Sequence, residues 1–165
     1  MGGALHDSVM SFVARSVQRF ELMRGSVLDV GSYDVNGNVR KLFDGARYVG
    51  IDMRAGPNVD RVLDAHDILE AFGPESFDTV VCCEMLEHDP AFWVSMDRMG
   101  RVLKHGGRLL FTTRGLGFPL HEYPSDLWRF TPDAGKRLAE LAGLIDVEVR
   151  DDPQASGIFV SGRRP

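Results

Sequence analysis

The hydrophobic positions of this chain change period as it is read. Between residues 4 and 22, Val9, Phe12, Val13, Val17 and Phe20 recur at three- and four-residue steps, which marks one apolar helix face, and Gly25 is a stop. Short apolar runs follow. SVLDV (26–30), ARYVGID (46–52), DRVLDA (60–65), FDTVVCCEM (77–85) and GRLLFTTR (107–114) read as strands. FDTVVCCEM is apolar almost without a break, as strands buried on both faces are. Helical patterns alternate with them: NVRKLF (38–43), HDILEAF (66–72) closed by Gly73-Pro74, and DPAFWVSMDRMGRVLKHGG (89–107). In the last, Asp89 suits the cap, Pro90 the first position and Gly106-Gly107 the end. TPDAGKRLAELAG (131–143) repeats this grammar with Thr131, Pro132 and Gly143. IDVEVRD (145–151) and GIFVSG (157–162) finish the chain as strands.

Strand–helix alternation predicts an α/β domain, doubly wound, around a mostly parallel seven-stranded sheet with helices on both faces. Only DPQAS separates the last two strands, too little for a helical crossover, so the final strand is expected to be antiparallel. The 165 residues suit a single domain, with an N-terminal helix in 1–24 and a loop in 115–131. In such sheets ligands sit beyond the carboxyl ends of the strands. Function is therefore expected after Val30, Ile51, Leu63, Cys83 and Thr113.

Composition narrows the classes. A formal charge of −5 with scattered basic residues makes a nucleic-acid partner unlikely on electrostatic grounds. No apolar run is long enough to cross a membrane, and no basic-then-apolar leader opens the chain, so the expected location is cytoplasmic. The two cysteines are neighbours, Cys82 and Cys83, and point to opposite faces of a strand, which makes them a poor disulfide. No spacing of a metal site is evident, and no metal is expected: Glu84, Glu87 and His88 could be imagined as ligands, but Glu84 and Glu87 have readier uses as cofactor contact and helix-start acid.

Acids stand at the ends of the first four strands: Asp29, Asp52, Asp64 and Glu84. Asp52 lies about twenty residues after Gly31, where a carboxylate can accept from both ribose hydroxyls of an adenosine. The first loop, VLDVGSYDVNG, lacks G-x-G-x-x-G, which disfavours a nicotinamide enzyme. Its turn falls at Asn36-Gly37, a pair that tolerates positive φ.

The ordered set resembles the class I S-adenosylmethionine-dependent methyltransferases, a Rossmann-like family. VLDVGS resembles their first motif, YVGIDM the second, LDAHDI the third and FDTVVCCEMLEH the fourth, and the glycine pair of LKHGGRLLFTT is similar too. The resemblance implies S-adenosylmethionine as cofactor, leaving as S-adenosylhomocysteine. It implies cofactor contacts from Asp29, Gly31, Tyr33, Gly37, Asp52, Met53, Asp64, Ala65, His66 and Glu84. It implies methyl transfer to an oxygen or nitrogen of a small-molecule or glycan acceptor. The departure at Tyr33, where the family has a second glycine, supports an alternative: a non-catalytic module that keeps the fold.

The loop RGLGFPLHEYPSDLWRFTPDAG is long, proline-broken and aromatic, and long unstructured loops are usually functional. It is expected to cover the acceptor, with Tyr123 and Trp128 as substrate contacts, although Trp128 and Phe130 can equally pack the loop down. Histidine suits a base for a hydroxyl acceptor. His121 is the first candidate and His88 the second; His6 and His105 read as surface. The partner class is a small-molecule or glycan acceptor, with no membrane, and the oligomeric state is open.

Overall fold

A computed structural model describes residues 7–35, 37–122 and 124–165. The strands are β1 (Ser26–Val30), β2 (Arg47–Asp52), β3 (Arg61–Val62), β4 (Phe77–Cys83), β5 (Leu103–Arg114), β6 (Ile145–Asp151) and β7 (Gly157–Arg163). The helices are α1 (Asp7–Arg19), α2 (Ile68–Phe72), α3 (Phe92–Val102) and α4 (Pro132–Leu141), with 3-10 turns at Arg40–Phe43 and Ala65–Asp67. The strands form one seven-stranded sheet in the order β3-β2-β1-β4-β5-β7-β6. Neighbours from β3 to β5 are parallel, and β7 runs antiparallel to both β5 and β6, as the short DPQAS link requires.

Each strand feeds two cores by alternation. Leu28, Val30, Val80, Cys82, Leu109 and Phe111 pack under α2, α3 and α4 with Met96, Met99 and Leu138. Val27, Val81, Leu110 and Phe159 pack under α1 with Val9, Phe12, Val13 and Val17. Helix α1 has 13 residues, too few to persist alone. Its four buried apolar side chains, at roughly 1.5–3 kcal/mol each, dock it on the sheet. Cys82 belongs to one core and Cys83 packs against the other, both are unpaired, and burial pushes both thiols up.

Helices lie on both faces, but unevenly. Residues 53–60 join β2 to β3 without a helix, and the connection from β1 to β2 carries only the 3-10 turn. DRVLDA forms a strand of only two residues, Arg61–Val62, because Asp64 leaves the sheet to cap the next turn through His66 N, 2.8 Å away.

The long helix read from Asp89 to Gly107 is shorter at both ends. Asp89 does not sit at the cap: its carboxylate accepts from Ala91 N at 2.8 Å and from Ser95 Oγ at 2.5 Å, and the helix begins at Phe92. It ends at Val102 because Leu103, fully buried, extends and pairs with Phe77 in the sheet. The register then shifts, and Lys104 pairs with Asp78 at 2.9 Å. Thr131 caps α4 as expected, accepting from Ala134 N at 3.2 Å, with Pro132 as its first residue.

Candidate active site

The sheet order sets Asp64, Asp52, Gly31 and the segment after β4 side by side along one carboxyl edge. The strand order reverses between β1 and β4, the place where open α/β sheets take ligands.

The loop after β1 is tied to the loop after β2. Gly31 N and Ser32 N donate to Ile51 O at 3.0 and 2.9 Å. Gly31 has φ +81°, and a Cβ there would lie 2.8 Å from Met85 Cγ, so both the turn and the close approach demand glycine. Asn58 Nδ2 donates to Ser32 O at 2.9 Å, and Ser32 Oγ donates to Asn58 O at 3.2 Å. Tyr33 leans away from β1. Its ring packs on Gly56, with the Arg54 guanidinium 5.0 Å from its centre. Asp34 organises the following turn by accepting from Gly37 N at 2.6 Å and Asn38 Nδ2 at 2.5 Å. Asn36, half of the expected turn pair, lies outside the described residues.

Asp52 is half-buried at the end of β2. Its carboxylate accepts from Tyr33 N at 3.4 Å and Arg54 N at 3.1 Å, which fixes it at the rim. Met53 beside it is 69% exposed. Asp64 and Ala65 are half-buried in the turn after β3. His66 Nε2 lies 3.0 Å from Asp89 Oδ1, so His66 links this turn to the start of α3. A fixed rim carboxylate, a glycine turn and half-open acids suit a cofactor bearing vicinal hydroxyls and cations.

Two acids expected at the cofactor are spent inside the protein. Asp29 is buried on the α1 face, where Tyr48 Oη donates to its Oδ2 at 2.5 Å. Burial pushes its carboxyl up to about 6, against the pull of Tyr48 and Arg40. Glu84, at φ +56°, turns its side chain into the sheet, where it accepts from Thr112 Oγ1 at 2.6 Å and pairs with Arg114 Nε. Arg114 is itself buried and reaches Asp152 Oδ2 at 3.3 Å. Burial, then the charge of Glu87, push Glu84 up to about 8, against Arg114 and Thr112.

The residues after β4 meet the loop after β5. Glu87 has a fully buried side chain; its Oε2 accepts from Thr113 Oγ1 at 2.7 Å, and its backbone carbonyl accepts from Leu127 N and Trp128 N at 2.8 and 3.2 Å. Those two bonds pull the 115–131 loop back over the sheet edge. His121 then arrives with Nε2 3.6 Å from Glu87 Oε1 and its ring 4.7 Å from that of His88. Asp126 holds the other side of His121: it accepts from His121 N at 2.8 Å, and its Oδ2 is 3.4 Å from His121 Nδ1. Arg129 clamps Asp126 with bonds of 2.5 and 2.6 Å and holds its carboxyl well below the usual range.

The two leading histidine candidates are thus together, and sequence reasoning missed their supports Asp126 and Arg129. Their i,i+3 spacing in a loop was the available signal. Trp128 donates from Nε1 to Asp89 O at 2.9 Å and sets its ring edge-on to Phe92, the packing role, while keeping 38% of its surface exposed. Phe130 is buried against Phe92. Tyr123 lies outside the described residues, as does His6. His105 is exposed beside Glu75 and Pro165.

Residues 28–111 match the model of the methyltransferase domain family, and the chain belongs to that family. Over 85% of its length it is 29% identical to a ubiquinone biosynthesis O-methyltransferase of Pseudomonas syringae pv. tomato, covering 76% of that relative. It is 28% identical to the Xanthomonas euvesicatoria pv. vesicatoria enzyme of the same name, over 77% of this chain and 69% of that one. The fold is shared with a Burkholderia thailandensis 1,6-didemethyltoxoflavin-N1-methyltransferase solved with bound 1,6-didemethyltoxoflavin and S-adenosylhomocysteine (TM-score 0.72, 20% identity, 96% of this chain and 79% of that chain). An Archaeoglobus fulgidus S-adenosylmethionine-dependent methyltransferase is similar over 94% of both chains (TM-score 0.70, 14% identity). The chain is an S-adenosylmethionine-dependent methyltransferase with a Rossmann-like sheet. Among the described residues, no helix is long and apolar enough to cross a membrane.

Proposed function

We propose that this chain methylates a hydroxyl oxygen of a small-molecule acceptor held between the segment after β4 and the loop after β5. One observation carries this reading: His88 and His121 converge on the buried carboxylate of Glu87, one strand from the Gly31 turn. The relatives named O-methyltransferases support oxygen as the acceptor atom.

S-adenosylmethionine supplies the electrophilic methyl carbon and leaves as S-adenosylhomocysteine. Asp52 is assigned to the ribose hydroxyls. Met53, Asp64, Ala65 and His66 are assigned to the adenine side, the backbone at Gly31 and Gly37 to the amino-acid end, and Tyr33 to the outer wall. The protein's own work is alignment of the acceptor and exclusion of water, which the 115–131 loop provides. The His88–His121 pair activates the hydroxyl, with Trp128 on the acceptor's flank.

Calorimetric titration with S-adenosylmethionine, S-adenosylhomocysteine and NAD tests the cofactor assignment. Saturable binding of the sulfur ligands, abolished in D52A, is expected. Binding of NAD alone would sink it. A panel of phenolic, sugar and amine acceptors, read by mass spectrometry, tests the acceptor: methylation confined to amines overturns the oxygen assignment.

A further inference from the structure

Glu87, His88 and His121 each place one ligand atom within 4.8 Å of the others. The sequence led to no metal being expected, and Glu84, imagined there beside Glu87 and His88, is occupied by Arg114 and Thr112. His121 takes that place, brought from the far side of β5 by the loop. The geometry points to a divalent transition-metal site at Glu87, His88 and His121.

The hydrogen bonds around the cluster favour this over packing alone. His88 Nδ1 lies 2.6 Å from Ser125 O. A carbonyl only accepts, so Nδ1 is the donor, and in the neutral ring the lone pair is then on Nε2. Ligating histidines are oriented in this way, by donating the other ring N–H to a carbonyl or carboxylate. His121 stands between two acids, with Nε2 3.6 Å from Glu87 Oε1 and Nδ1 3.4 Å from Asp126 Oδ2, and Nδ1 makes no hydrogen bond to a described residue. Asp126 is held in turn by Arg129.

Glu87 supplies the independent observation. Its Oε2 is satisfied by Thr113, but Oε1 has no hydrogen-bond partner among the described residues although the side chain is fully buried. An unpaired buried carboxylate oxygen is costly. A cation held among these three side chains removes that cost. Two imidazoles and one carboxylate match zinc-type or iron-type donor sets rather than the all-oxygen sets of magnesium and calcium.

Binding of the ion stands on this cluster alone; its use rests on the methyl-transfer reading above. Were an ion held there, an acceptor hydroxyl bound to it would have its pKa lowered and would give its proton to solvent. It keeps the O–H electron pair for the methyl carbon, and the sulfur takes the pair of the broken bond. The two histidines then serve as ligands, with no proton to accept.

The test uses the purified full chain, stripped with a chelator and titrated with Zn2+ and with Co2+, followed by calorimetry and visible absorption. One Zn2+ per chain and Co2+ ligand-field bands are expected. Both are expected to vanish in H88A and in H121A, and D126N should weaken affinity roughly 10–100-fold by loosening His121. Circular dichroism and S-adenosylhomocysteine binding, read on the same samples, separate a lost site from a lost fold or a failed cofactor assignment. No binding by the parent chain, or equal binding by H121A, overturns the metal site. So does a His121 imidazole that stays protonated beside Glu87 when NMR spectra are taken in the presence of Zn2+.

Discussion

Tyr33 occupies the space that a side chain at residue 56 would need: a Cβ on Gly56 would lie 2.2 Å from Tyr33 Cε2. This contact shows where the first loop lays its tyrosine side chain. The ring is laid against the outer loop, and its backbone N–H reaches Asp52. In G56A the ring must move and drag Asp52's anchor with it. We expect a loss of about 1–3 kcal/mol in stability by urea denaturation, together with weaker S-adenosylhomocysteine binding by calorimetry. A stable variant with unchanged affinity would show that Tyr33 has no part in shaping the cofactor edge.

Asp52 itself is half-buried at the rim, so its removal is expected to touch binding more than folding. Loss of charge-assisted hydrogen bonds to two hydroxyls is worth about 1.5–3 kcal/mol. D52A should therefore bind S-adenosylhomocysteine roughly 10–100-fold more weakly, with a melting temperature close to that of the parent. A change of less than threefold would remove Asp52 from the ribose.

Asp29 predicts a pH dependence. Its carboxyl moves from 3.8 to about 6 on folding, chiefly through burial. Between those values the folded chain keeps a proton that the unfolded chain has lost. Stability from this group thus falls as pH rises from about 4 to about 6, by roughly 3 kcal/mol. D29N keeps an acceptor for Tyr48 and does not titrate. The difference between parent and D29N stability, measured by urea denaturation across this window, should carry that slope, and parallel curves would contradict it.

Arg114 sits between Glu84 and Asp152, all three shielded from solvent. R114M leaves two buried acids without their cation. Breaking such a pair costs about 3–5 kcal/mol, which denaturation will show. Removing the acids as well, in E84Q/R114M/D152N, should recover most of the loss.

The order of elements was legible because it follows from local patterns. Strand runs, the Thr131–Pro132 helix start and the short DPQAS link each carry their own physics. Asp52 was legible for the same reason, as an acid where a strand ends. Asp29 also stands near the end of a strand, and strand alternation groups it with Val27 on the α1 face. The turn of Glu84 away from the rim was hidden, since its left-handed backbone and its partner Arg114 are set by packing from another strand. The approach of His121 to Glu87 was hidden too. It depends on Leu127 and Trp128 bonding to the Glu87 carbonyl, a closure between distant segments that no spacing announces.

The two ends of the sheet carry a consequence for life at high concentration. One outermost strand, β3, has only two residues and opens with Arg61. The other, β6, is rich in charge, and its register breaks between Ile145 and Glu148, with Asp146 at φ +52° and bonded to Arg163. Unpaired strand edges invite other chains to add to them, and short, charged or bulged edges refuse that addition. Both borders of this sheet are of the refusing kind, so a crowded solution of the enzyme is guarded against growth by strand addition.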